Sequence, residues 1–146
     1  MISQVSKQVE WCLNKAKKEI EECKKLGKRP KHRGLLKVEP NADEAKKHLT
    51  KAEHNLIGIT KFKEIGFSDW SMSAGFYCIY HCFLAIAARF GYETSNQTCT
   101  IVLMKYLKEN NSIQIEDKFI ELLEYEELDS KENSIIELRE NYTYGV

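Results

Sequence analysis

Along the first 26 residues Val5, Val9, Cys12, Ala16, Ile20 and Cys23 recur at intervals of three and four, the spacing that lines one face of an α-helix. The pattern predicts an amphipathic helix over 3–26, with lysines and glutamates outward and Gly27 as its stop. The stretch that follows, "GKRPKHRGLLKVEP", holds both prolines of the chain, two glycines and five Lys/Arg, and reads as an exposed basic loop. Asn41 then caps a second helix, and Glu44, three residues on, completes a capping box. Ala45, Leu49, Ala52, Leu56 and Ile59 form its expected buried stripe, and Gly66 ends it. Ser68 or Asp69 caps a third helix that runs to Arg89 or Phe90 and stops at Gly91. Residues 74–88 of that helix, "AGFYCIYHCFLAIAA", carry no formal charge. A helix apolar on every face must be surrounded, so this one is expected at the centre of the fold.

Ser95 or Asn96 starts a fourth helix through "TCTIVLMKYLKEN", which breaks at Asn110-Asn111-Ser112. A short acidic helix from about Ile115 to Leu128 turns Phe119, Leu122 and Leu123 inward, and Ser134 begins a last short piece. No sustained alternation and no internal repeat interrupts the helical pattern. The expected fold class is all-α, an antiparallel up-and-down helical bundle of four to five main helices. Residues 1–40 form an N-terminal helix and basic loop packed on a bundle made by residues 41–146.

At 146 residues the chain has room for one hydrophobic core. Its charge is balanced overall but not along its length: residues 1–40 carry eleven Lys/Arg against five Glu, and residues 113–146 carry three against ten acidic residues. That balance argues against indiscriminate nucleic-acid binding and leaves room for a local basic patch. Five cysteines with no CxxC pair argue against a disulfide framework. The N-terminus has no apolar signal core, and fifteen apolar residues fall short of the ~20 that span a bilayer. The expectation is a cytoplasmic protein with reduced thiols, away from membranes.

Four stretches in order, "ADEAKKHLTKAEHNL", "DWSMSAGFYCIYHCFLAIAARFGYE", "NQTCT" and "LRENYTYG", resemble the archaeal branch of the HEPN domain family (higher eukaryotes and prokaryotes nucleotide-binding). The resemblance runs from Asn41 to the C-terminus, and Asp69-Trp70, Phe76-Tyr77 and Tyr80-His81 on one helix are its most specific part. It implies a homodimer joined through helix faces, RNA or nucleotide as ligand, and a minimal nucleotidyltransferase of the toxin–antitoxin type as protein partner. Nuclease members carry an arginine followed after four to six residues by a histidine. Here Arg139 stands at the arginine position, whereas the fifth residue on is Tyr144 and no histidine follows. A phenol, with a pKa near ~10, is a poor proton acceptor at neutral pH. The resemblance therefore implies binding rather than turnover, with Arg139 on phosphate and Tyr142 and Tyr144 as stacking or hydrogen-bonding helpers. Two rivals remain: a metal-independent ribonuclease toxin in which Tyr144, Glu140 or His81 replaces the missing base, and a purely structural dimerisation module. Family members usually continue into a further helix past this motif.

Among the residues themselves, Cys78, His81 and Cys82 share one helical face, but three ligands on one turn lack a fourth and Cys is common in ordinary cores. No metal, cofactor or catalytic residue is assigned. His81 is read as structural support, hydrogen-bonded across the bundle, together with Asp69 and Tyr80. The aromatic residues of the third helix are read as core or dimer interface. Lys28, Arg29, Lys31 and Arg33 form a candidate nucleic-acid loop, whose alternative is plain solvated surface.

Overall fold

The computed structural model describes residues 2–127. Its order is α1 (Gln4–Lys25), β1 (Leu35–Lys37), α2 (Ala42–Glu64), α3 (Ser68–Arg89), β2 (Tyr92–Thr94) and α4 (Gln97–Glu109), followed by a helix, α5, over residues 117–127. The all-α bundle is what the periodicity predicts. Side-chain caps set three of the starts. Ser3 accepts from the Ser6 N–H, Asn41 from the Glu44 N–H and Asn96 from the Cys99 N–H, each satisfying one of the donors a helix leaves free in its first turn.

The start of α3 differs from expectation. Neither Ser68 nor Asp69 caps it; Phe67 occupies the cap position with no side-chain bond. The reason is the tightness of the link. Gly66 takes a left-handed φ of 83° and the Phe67 N–H bonds back to the Phe62 carbonyl at 2.8 Å, so one residue both closes α2 and opens α3.

Within the basic stretch the chain forms a strand that the sequence pattern did not reveal. β1 pairs antiparallel with β2, Leu35 opposite Thr94, Leu36 opposite Glu93 and Lys37 opposite Tyr92. Three residues are too few to register as alternation. The ladder clips the end of α1 to the junction between α3 and α4.

One core cluster joins α1, β1, α3, α4 and α5 through Val9, Cys12, Leu35, Phe83, Leu103, Met104 and Leu123. The N-terminal helix thus shares its core with the bundle. Cys12 of α1 and Cys99 of α4 are joined as a disulfide inside this cluster, their Cα atoms 6.0 Å apart. The expectation of wholly reduced thiols is corrected here: pairing depends on which side chains the fold brings together, and an odd count with no CxxC spacing is silent on a bond spanning 87 positions.

α2 packs chiefly on α3, along a seam of small side chains where Ala45 meets Ala85 and Ala88 and the Ser71 hydroxyl donates to the Ile59 carbonyl at 2.8 Å. Among the described residues a single helix covers one side of α2, and Leu49 and Leu56 of the expected buried stripe are exposed. The N-terminal half of α3 is likewise covered on one side only, so Trp70, Met72 and Tyr77 are exposed at 63%, 75% and 51%. Burial is deepest in its second half, where Phe83, Ala85, Ala87 and Ala88 are buried and Ile79, Leu84 and Ile86 half-buried, short of the full enclosure expected. Leu122 of α5, expected inward, is exposed, while Leu123 beside it is fully buried. By length and composition α3 is apolar enough to cross a membrane, which the fifteen-residue count had understated; here it lies between α2 and α4.

Asn96 does two jobs, capping α4 and donating through its side-chain amide to the Arg33 carbonyl at 3.1 Å. Replacing it by Ala is expected to lower unfolding free energy by about 1–2 kcal/mol in a denaturant titration.

Candidate anion-binding site

The site begins with the end of α1. Leu26 caps the helix, Gly27 turns left-handed at φ 67°, and the N–H groups of Gly27 and Lys28 return to the carbonyls of Lys24 and Cys23. This closing motif reverses the chain and sends residues 28–34 back along α1. The loop is fastened at its far end. The Arg33 N–H donates to Glu19 Oε1 at 2.9 Å, and this bond, foremost, holds the Glu19 carboxyl below its ordinary pKa.

Behind the loop, His32 is buried. The Gly34 N–H donates to its Nδ1 at 3.2 Å, which places the ring proton on Nε2, facing Glu93 Oε1 of β2 at 2.9 Å. Both ring nitrogens are therefore engaged, and His32 works as a fastener between loop and sheet. Gly34 makes the close approach possible. A Cβ added there would lie 2.4 Å from the Cys12 carbonyl oxygen and 3.0 Å from the Ala16 nitrogen.

The fastening leaves Lys28, Arg29, Lys31 and Arg33 exposed on the outer arc. Among the described residues none of the four side chains has an ion-pair partner; of the carboxylates in this region, Glu19 is engaged with Lys15 and Glu93 with the His32 Nε2–H. The arc borders an open depression of about 710 Å³, walled by α1 at Glu19, Glu22 and Cys23 and by the loop at Lys28, Lys31 and Arg33. Exposed cations that lack carboxylate partners remain free for anionic oxygens, with guanidinium suited to bidentate contact. Three of the fourteen residues read as an exposed loop are thus not exposed at all: His32, Gly34 and Leu35 are buried, Gly34 lying against α1 at Cys12 and Ala16. Glu19 and Glu93, which hold the loop, carried no sequence signal, since each acts on a residue distant in the chain; Asn96 was legible as a cap of α4 but not as the partner of the Arg33 carbonyl.

The remaining candidates lie elsewhere. Arg139, Tyr142 and Tyr144 fall outside the described residues, as does the last piece from Ser134. Asp69 is exposed near the start of α3, on the rim of a 450 Å³ recess beside Trp70 and Tyr77. Tyr80 is half-buried, stacked on Phe76 with ring centroids 6.2 Å apart; burial, partly offset by its hydrogen bond to Thr100, pushes its hydroxyl pKa up. His81 meets His48 across the α2–α3 seam, Nδ1 to Nδ1 at 3.3 Å. Neither is near the basic loop's own wall.

Compared with known proteins, the chain matches no family model, no curated protein and no solved structure.

Proposed function

We propose that this protein is a binding module for RNA or a nucleotide, in which Lys28, Arg29, Lys31 and Arg33 hold phosphate groups. The observation that carries the reading is the fastened loop itself: four exposed cations without ion-pair partners among the described residues, three of which, Lys28, Lys31 and Arg33, line an open depression of about 710 Å³. Anchoring by Glu19, His32 and Asn96 reduces the conformational freedom that binding would otherwise remove. In the same reading Arg139 adds a guanidinium, and Tyr142 and Tyr144 add aromatic faces. The exposed apolar side chains of the α2–α3 hairpin, among them Leu56, Trp70 and Tyr77, support a homodimer formed through that hairpin. The resemblance in sequence adds a minimal nucleotidyltransferase as protein partner.

Fluorescence anisotropy with a labelled single-stranded RNA in EDTA, run over a series of salt concentrations, tests the site. Counterion release gives a log K against log salt slope of about −0.7 per phosphate contact for a single strand. Changing all four residues to Ala is expected to weaken binding and to flatten that slope by about 3. An unchanged affinity and slope in a folded variant sinks the assignment. The RNA is expected to stay intact throughout; cleavage that Arg139→Ala abolishes would favour the ribonuclease reading instead.

A further inference from the structure

The contact between His48 and His81 joins two helices that otherwise meet through small apolar side chains, the Ser71 to Ile59 hydrogen bond and the Phe62–Trp70 ring contact. The rings are stacked, with centroids 5.5 Å apart and planes 23° from parallel. An Nδ1 to Nδ1 hydrogen bond needs a proton on one ring and a lone pair on the other. Glu44 Oε1 lies 3.5 Å from His48 Nε2 and favours the proton there. That leaves His48 Nδ1 as acceptor and makes His81 Nδ1–H the donor. The neutral pair is therefore complementary in one arrangement of protons, and a doubly protonated pair has two N–H groups facing each other at 3.3 Å.

We propose that this pair is an acid-sensitive clasp: uptake of protons by both rings parts α2 from α3, while the core joined by Cys12 and Cys99 stays closed. The location favours it. Among the described residues α2 leans chiefly on α3 and no other layer holds it once the seam is opposed, whereas α1 and α4 share the main core and a disulfide. The surroundings add charge of both signs beside the rings. Lys51, one turn from His48 on α2, opposes protonation of both, and Glu44 supports it at His48. From α3, Tyr80 presents its ring at 6.1 Å and Cys78 and Cys82 flank His81 along the chain. Glu39 and Glu93 share with His48 the wall of a 550 Å³ recess.

The direction with pH follows. Burial first, then the positive charge of His48 and Lys51, holds His81 below 6.5; burial first, with Lys51 adding and Glu44 opposing, holds His48 below it. Depressed values in the folded chain mean that the seam's contribution is fully present above 6.5 and is lost as pH falls through the folded values, because the open state takes protons first.

Hydrogen–deuterium exchange of the full chain at about pH 7.5 and about pH 5, corrected for intrinsic exchange, reads the two layers separately. Protection of α2 is expected to fall severalfold at the lower pH while that of α4 is unchanged. In His48→Gln, which keeps a hydrogen-bonding side chain but does not titrate, the α2 difference between the two pH values should disappear. Equal α2 protection at both pH values in the wild type, or a difference that survives in His48→Gln, overturns the clasp. If the variant fails to fold, the imidazole resonances of the wild type decide. Midpoints for both rings below 6.5 support the clasp, and either one at or above 6.5 refutes it.

Discussion

Replacing Cys12 and Cys99 together by Ala, or reducing the bond between them, is expected to lower the unfolding free energy by about 4.5 kcal/mol. The figure comes from the chain-entropy relation applied to a separation of 87 residues. Such a bond removes from the unfolded ensemble every conformation in which α1 and α4 drift apart. For a domain of this size that loss corresponds to a fall in Tm of roughly 10–20 °C. Both positions are almost fully buried, so the thiols left after reduction remain packed as small apolar groups and the core keeps its shape. The check is a pair of thermal scans, with and without a reductant strong enough to reach a buried disulfide, alongside the double variant. A change below about 1 kcal/mol would show that α1 is held by packing alone, with the unfolded chain already compact enough for the bond to remove little freedom.

Gly34→Ala is the second large effect. The added methyl would sit 2.4 Å from the Cys12 carbonyl oxygen, and that oxygen belongs to a helical backbone, which cannot yield as the far end of a side chain can. β1 must move away from α1 instead. Overpacking of this kind costs typically 1–3 kcal/mol, occasionally more, and Gly34 stands at the upper end because the clash is with main chain on the partner element. Displacement of β1 also disturbs the His32 and Arg33 fasteners on its N-terminal side, so RNA affinity should fall in a variant whose four loop cations are untouched. Stability by denaturant and affinity by anisotropy are separate readouts of the same shift. A variant as stable as the wild type would mean that the loop does not lie this close to α1.

Much of the bundle was legible because it is local. The three- and four-residue spacing of Val9, Cys12 and Ala16, and the Asn41 and Asn96 caps, depend only on near neighbours in sequence, and short-range sterics and hydrogen bonding suffice to place them. What could not be read is long-range. Nothing around Cys12 points to Cys99, and nothing in "KHRGLL" points to Glu19 or Glu93, since those partners are fixed only when the core has formed. Leu49, Leu56 and Trp70 show a different limit. Their spacing is correct for an apolar face, but periodicity states that a face is apolar and does not state that anything covers it. For the basic loop the charges were legible and the fastening was not. The motif carried by Arg139, Tyr142 and Tyr144 lies outside the described residues.

The bond between α1 and α4 also decides how tension would travel through the molecule. A pull applied near the N-terminus passes at Cys12 directly to Cys99, bypassing the sheet, α2 and α3, which therefore carry none of the load while the bond is intact. Reduction would add that hidden stretch to the extensible length, about 30 nm at a fully extended spacing of roughly 3.3–3.6 Å per residue, and would turn a short tether into a long one.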